Sequence, residues 1–289
     1  MKRQGQHIPR AIGAALLALM LLGGCASTEQ AADPARVAAP KPALGIDAGE
    51  LDAALASIAQ ETNTTVALSL WDGTNEIRGG TLRSLPAWST EKVPIALAAQ
   101  EHCALDRAML DQLITNAITM SDNSSTDLLY GCLGDSMTAA RLVGEQVGRS
   151  GADVYMDPMW GVTQWPISSQ AHYAYYLSTL PADNLVTDSM SKVVPQQSWG
   201  LGRIEGMHFK GGWNDSELDG GYDDRQMGFF TVAGSTYGVS IGARSEAGSM
   251  TDTVKALNKM AALIVSWDSS LQFKHFDPES PPWWEEFNE

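Results

Sequence analysis

The chain is 289 residues long and carries 34 acidic against 19 basic side chains, for a formal net charge of −15. That balance disfavours nucleic acid and anionic lipid headgroups as partners. Apolar residues make up 44% of the chain, enough for one compact two-lobed domain, yet nothing in residues 26–289 is long and apolar enough for a transmembrane helix.

Residues 1–24 read as a signal peptide. Lys2, Arg3 and Arg10 give a basic start, and Ile12–Leu22 is an apolar run too short to span a bilayer as a mature helix. Leu22-Gly23-Gly24-Cys25 resembles a bacterial lipobox, whose cysteine becomes the lipidated first residue after cleavage; the alternative is an ordinary signal peptide cut near Ala26. Either route exports the chain, and lipidation at Cys25 would anchor it to the outer face of the cell membrane, in the cell envelope. Cleavage before Cys25 removes Lys2, Arg3 and Arg10 and no acidic residue, moving the formal charge from −15 to −18. Residues 25–45 are rich in Ala, Pro and small polar residues and read as a flexible linker.

The folded domain is expected over residues 46–267. Leu51, Ala54, Leu55 and Ile58 have helical spacing within Ala48–Thr62, and Thr65–Trp71 alternates as a half-buried strand. Asp72-Gly73 makes a turn, after which Glu76–Thr81 returns as a second strand. Ser89-Thr-Glu-Lys92 then opens the apolar helix Val93–Ala99, with Pro94 tolerated in its first turn. Residues three apart on a helix are neighbours, so Ser89 and Lys92 share a face. Leu105–Met120 has a helical pattern, and another helix follows Ser121-Asp122-Asn123. Asp153–Gln164 is irregular, and Ser168–Leu180 is a helix capped by Ser168 or Ser169. Strands are expected at Arg203–Trp213, which carries Lys210-Gly211-Gly212, then at Gly228–Gly234 and Tyr237–Ala243, before an amphipathic helix ending at Trp267. The order α–β–β–helices–β–β–β–α implies an α+β fold: an antiparallel sheet built from both chain ends, with a helical lobe inserted between. The tail, 268–289, is acidic and aromatic; Pro281-Pro282-Trp283-Trp284 either covers an apolar patch or docks a partner.

Beyond Cys25 only Cys103 and Cys132 remain, and an even pair in an exported chain favours a disulfide; the alternative is two buried thiols. The five histidines, among them His102, His172 and His208, show no ligand spacing, so no metal is expected. No Gly-rich phosphate loop occurs, and no cofactor is implied. Asp219-Gly220-Gly221 reads as a hairpin or bulge.

Ser-x-x-Lys, Ser-Asp-Asn and Lys-x-Gly, in this order, resemble the signature of class A β-lactamases and penicillin-binding proteins. The flanks Asn116–Asn123 and Leu128-Leu129 resemble that family too, as do the two late strands and the final helix. The resemblance implies a penicillin-recognising serine enzyme fold over the domain. It implies Ser89 as nucleophile, Lys92 as general base for acylation, and Ser121 as the shuttle passing the proton to the leaving nitrogen. It further implies that Asn123 holds the acyl-side amide and that Lys210 sets the charge near Ser121. Gly212 would let the backbone approach, and the N–H groups of Ser89 and Trp213 would form an oxyanion hole.

Three departures qualify the match. The stretch between Ser89 and Ser121 is short, so the cleft should be open. The region matching the family's Ω-loop, Asp153–Gln164, contains no glutamate to activate a deacylating water; Asp157 is the only nearby carboxylate besides Asp153, and Pro158 behind it suggests a turn. Gly211 replaces the hydroxyl residue that would bond a substrate carboxylate, with Arg225 as the candidate compensating charge. The expected activity is therefore a serine hydrolase forming an acyl-enzyme with a β-lactam or a peptidoglycan-like D-Ala-D-Ala amide, and deacylating slowly. The alternatives are a non-catalytic module binding a cell-wall peptide or protein on the same fold, and a β-lactamase with a different deacylation base.

Overall fold

The computed structural model describes residues 44–216 and 220–276. The expected signal peptide, Cys25, most of the linker, Asp219 and the Pro281–Trp284 segment lie outside the described residues.

The first helix, α1 (Ala48–Thr62), begins where Asp47 accepts hydrogen bonds from the Gly49 and Glu50 amides, and it stops at Asn63 in the left-handed conformation. It buries Leu51, Leu55 and Ile58. Strands β1 (Thr65–Trp71) and β2 (Glu76–Gly80) follow as an antiparallel pair, and the short β3 (Ser84–Pro86) leads to the site. A 3-10 turn at Trp88–Glu91 runs into α2 (Lys92–His102). Every residue of α2 from Lys92 to Ala99 is buried, which makes it the central helix of its lobe. Around it lie α3 (Arg107–Thr119), α4 (Asn123–Cys132) and α5 (Ser136–Gly148), of which α5 carries Leu142, Val143 and Val147 into the core.

Strand β4 (Gln164–Pro166) pairs with β3 and passes directly into α6 (Ile167–Leu177). Neither Ser168 nor Ser169 caps this helix, as the sequence had suggested. Pro166 occupies the cap position without a side-chain bond, and Ser169 Oγ accepts from Trp165 Nε1 at 3.3 Å. The short α7 (Leu185–Met190) closes the helical lobe.

The third expected strand starts later than Arg203, because residues 200–203 form a 3-10 turn and Gly206 has φ +71°. It is β5 (His208–Asp215), followed by β6 (Tyr222–Val232) and β7 (Ser235–Ser245), both longer than their apolar stretches implied. The sheet order is β2-β1-β7-β6-β5, antiparallel throughout. The last helix, α8 (Met250–Val265), starts at Ser249, whose hydroxyl accepts from the Asp252 amide.

Two cores result. One fills the space between the sheet and α1 with α8, using Leu55, Leu68, Val239, Leu257 and Met260. The other surrounds α2, using Val93, Ile95, Ile114, Leu129 and Val143. Full burial of each such side chain contributes about 1.5–3 kcal/mol. Cys103, which ends α2, and Cys132, the last residue of α4, form a disulfide with Cα atoms 5.5 Å apart. The bridge fastens the two helices whose opposite ends carry the serine motifs. No helix among the described residues is long and apolar enough to cross a membrane.

Candidate active site

Ser89 sits where the chain turns from β3 into α2, at the seam of the two cores. The turn is held by the segment running beside it: the Ala87 amide donates to Thr163 O at 2.7 Å, and the Trp88 amide to Gly161 O at 2.6 Å. Trp88 has φ +46°. For a bulky L-residue that backbone conformation costs about 1–3 kcal/mol, so the surrounding bonds must impose it. Thr90 adds a brace, since its hydroxyl donates to Ala87 O and accepts from Gln170 Nε2.

Strand β5 comes against this turn from the sheet side. A Cβ on Gly212 would lie 2.8 Å from Ser89 N and 2.9 Å from both Ala87 O and Thr90 N, so only glycine allows the approach. The third motif thereby touches the first through backbone. It reaches the second through a side chain: Lys210 Nζ donates to Ser121 Oγ at 2.9 Å and to Gly211 O at 2.9 Å.

Ser121 stands at the corner between α3 and α4 with φ +57°. The kink turns its carbonyl toward α2, where it accepts from Lys92 Nζ at 2.8 Å. Asn123 Oδ1 accepts from the same Nζ. The next residue, Asp122, caps α4 by accepting from the Ser125 amide at 2.7 Å. Residues of the three motifs therefore meet around Ser121, with Lys92 and Lys210 on either side. No hydrogen bond joins Lys92 Nζ to Ser89 Oγ among the described residues.

Both lysines are buried. Burial lowers the Lys92 pKa from 10.5 to about 8, against the pull of Asp122 and Asp127 toward the charged form. Lys210 falls well below the usual lysine range, through burial first and then repulsion from Lys92. The neutral amine is thus accessible near neutral pH, as a proton acceptor beside a serine requires.

Around this centre the structure adds three residues that the motifs did not reveal. Trp160 lies over Lys92, with Nζ 4.9 Å from its ring centroid, and its Nε1 donates to Asp127 at 3.0 Å. Glu91, inside the first motif itself, is fully buried beneath the 157–163 segment, and its Oε2 accepts from the Gly161 amide at 2.9 Å. Burial raises its pKa to about 8. The signal was present as a glutamate flanked by Ser-Thr and Lys-Val-Pro, but nothing in local sequence distinguishes a buried acid from a solvated one. Gln170, in α6, accepts through one oxygen from Arg225 and Ser240.

Arg225 corrects the sequence reading. It belongs to β6 opposite Gly212, but its side chain is completely buried on the helical-lobe side of the sheet. Its guanidinium donates to Gln170 Oε1 and to the carbonyl oxygens of Leu85, Pro86 and Trp165. Strand alternation puts this cation on the face it shares with Gly212, where it clamps β3 and β4 together next to the Ser89 turn. Asp157, in turn, uses Oδ1 to accept from the Met159 amide at 2.8 Å, the bond of a local turn. Among the described residues no group of three or more His, Cys, Asp or Glu is placed to hold a metal ion.

Neither a protein-family model nor a curated protein sequence matches the chain. Solved structures do. A class A β-lactamase from Bacteroides cellulosilyticus DSM 14838 aligns with TM-score 0.59 at 14% identity, over 75% of this chain and 97% of that one. TLA-3 extended-spectrum β-lactamase aligns at 0.61 and 13% identity, covering 78% of this chain and 99% of its own. A β-lactamase from Sphaerobacter thermophilus DSM 20745 gives 0.57 at 18% identity, over 76% and 97%. Identities this low speak for architecture alone, and on that count the chain has the class A β-lactamase fold.

Proposed function

We propose that this protein is a serine hydrolase that forms an acyl-enzyme at Ser89 with a β-lactam or a D-Ala-D-Ala-type cell-wall amide, and that it releases the acyl group slowly. The observation that carries the reading is the convergence of two desolvated lysines on Ser121: Lys92 on its carbonyl and Lys210 on its hydroxyl. Ser89 Oγ attacks the acyl carbon and gives its proton to neutral Lys92. Ser121, primed by Lys210, returns a proton to the leaving nitrogen as the C–N bond breaks. The tetrahedral oxyanion is received by the amides of Ser89 and Trp213.

Slow release follows from what surrounds Lys92. An indole, Trp160, covers it, Asp157 is committed to its own turn, and the segment from Asp153 to Gln164 has no glutamate. The domain works outside the cytoplasm, held to the membrane by a lipid on Cys25.

The test is intact-mass spectrometry of the soluble domain incubated with a fluorescent penicillin, beside Ser89→Ala and Lys92→Ala. A persistent adduct absent from both variants is expected. Drug consumption without an adduct would mean a working deacylation base. Neither adduct nor consumption would transfer the assignment to a cell-wall binding module.

A further inference from the structure

We infer that the preferred acyl donor carries no free carboxylate beside the scissile bond: the carboxyl group there is masked as an ester or amide. The inference rests on Ser89 being the acylated nucleophile; of the proposed donors it favours β-lactams with a blocked carboxyl over a D-Ala-D-Ala end, whose terminal carboxylate is free.

The space that a side chain at position 211 would occupy is bounded by the Trp213 ring. A Cβ there would lie 3.2 Å from one indole carbon, 3.6 Å from another, and 3.8 Å from the Gln226 side chain. Trp213 is fixed in turn by an edge contact with buried Trp199, with ring centroids 4.6 Å apart. Where a hydroxyl donor would meet an anionic group, this chain presents an aromatic surface.

Of the described neighbours, Gln226, Arg225 and Lys210 do not supply the missing donor. The Gln226 amide is committed, its Oε1 to the Leu201 amide at 2.7 Å and its Nε2 to Trp199 O at 2.9 Å. Arg225 is buried on the opposite face of the sheet with its guanidinium occupied. Lys210 donates to Ser121 Oγ and Gly211 O, and lies 6.0 Å from the Trp213 ring centroid. Burial lowers its pKa, and two of its donors are already spent on those oxygens.

Asp122 and Asp127 are both near enough to act on Lys92, and Asp127 is held at the Trp160 edge of the site. An incoming carboxylate would lose its hydration against an indole, with no hydroxyl at position 211 to replace it. A methyl ester or primary amide at the same place buries apolar atoms on Trp213 and loses no charge hydration. The chemistry at Ser89 is otherwise the same: the Oγ–acyl bond forms, the C–N bond breaks, and one proton passes from Oγ to the nitrogen.

The experiment compares benzylpenicillin with its methyl ester, following the Ser89 adduct by intact mass over time, with Ser89→Ala as the background control. The ester is expected to acylate about tenfold faster or more, the size of one lost charge-assisted contact. In the double variant Gly211→Thr with Trp213→Ala, which reopens the space and restores a hydroxyl, the ratio should fall toward or below one. Faster acylation by the free acid in the parent chain would overturn the inference while leaving Ser89 as nucleophile. Absence of any Ser89-dependent adduct with both compounds would remove the nucleophile assignment itself, and the donor preference with it.

Discussion

Lys92 Nζ is held 2.8 Å from the carbonyl oxygen of Ser121, beneath the Trp160 ring, so the amine is kept out of water by the residues that position it. Its pKa, lowered from 10.5 to about 8, sets a sign. The active base is the neutral form, whose fraction grows as pH rises. Acylation of Ser89 should therefore climb about tenfold per pH unit below pH 8 and level off above it. Adduct formation timed between pH 6 and 10 would show this, and a flat profile would exclude Lys92 as base. Trp160→Ala should move the midpoint upward, because burial is the largest cause of the depression and outweighs the lost cation–ring attraction. Lys92→Arg should abolish the rise and lower the rate by about 10²–10⁴-fold, since a guanidinium stays protonated.

Much of this was readable in the chain. Ala48–Thr62 and Thr65–Trp71 appear at their sequence-derived bounds because their apolar periods are clean and Asp47, Asn63 and Asp72-Gly73 punctuate them. The motifs were legible because three short patterns demand one another. What stayed hidden depends on long-range packing. The start of β6, Tyr222-Asp-Asp-Arg-Gln226, has the composition of a loop, yet Asp223 pairs with Arg244, Asp224 accepts from Trp199, and Arg225 enters the helical lobe. Local patterns cannot show partners that lie 20 to 140 residues away, and so the commitment of Arg225 to Gln170 and three carbonyl oxygens could not be read. The burial of Glu91 was invisible for the same reason.

Glu91 gives a stability prediction with a defined direction. Its folded pKa, about 8, lies above the ordinary carboxyl value of 4.5, so between these values the native state holds a proton that the unfolded chain has released. The stabilising contribution of the neutral acid is full below about pH 4.5 and is lost as pH rises through 8. Glu91→Gln keeps the acceptor for the Gly161 amide and cannot ionise. Its urea midpoint relative to the parent should improve steadily from pH 5 to pH 8. Parallel pH dependences in the two proteins would contradict a buried neutral Glu91.

The disulfide provides a test of how the helical lobe is held. Cys103 and Cys132 are separated by 29 residues, and closing a loop of that length stabilises the fold by roughly 3–4 kcal/mol in the chain-entropy account. Replacing both with alanine, or reducing the bridge under native conditions, should lower the unfolding free energy by about that amount. The Ser89–Ser121 geometry should survive in the remaining folded fraction, because the bridge lies at the far ends of α2 and α4. Chemical denaturation with and without reductant gives the first quantity, and the initial acylation rate of the reduced folded protein gives the second.

Gly212 and Gly211 are adjacent, and they should respond unequally to alanine. At 212 the new Cβ would meet three backbone atoms at 2.8–2.9 Å, all belonging to the turn that presents Ser89, and backbone cannot swing aside. Strand β5 must retreat from the nucleophile, and the Trp213 amide retreats with it. A displacement of about 1 Å at such a site lowers rates by about 100-fold, and the overpacking costs roughly 1–3 kcal/mol of stability. At 211 the nearest atom is one edge of the Trp213 ring at 3.2 Å, which needs to give by only a few tenths of an ångström. Gly211→Ala should therefore keep the parent's melting temperature within a few degrees and acylate Ser89 within severalfold of the parent rate. The two rates measured side by side by intact mass separate the claims. Equal losses would mean that the strand tolerates neither side chain, and that the close approach of Gly212 to Ser89 is not what the glycine pair is for.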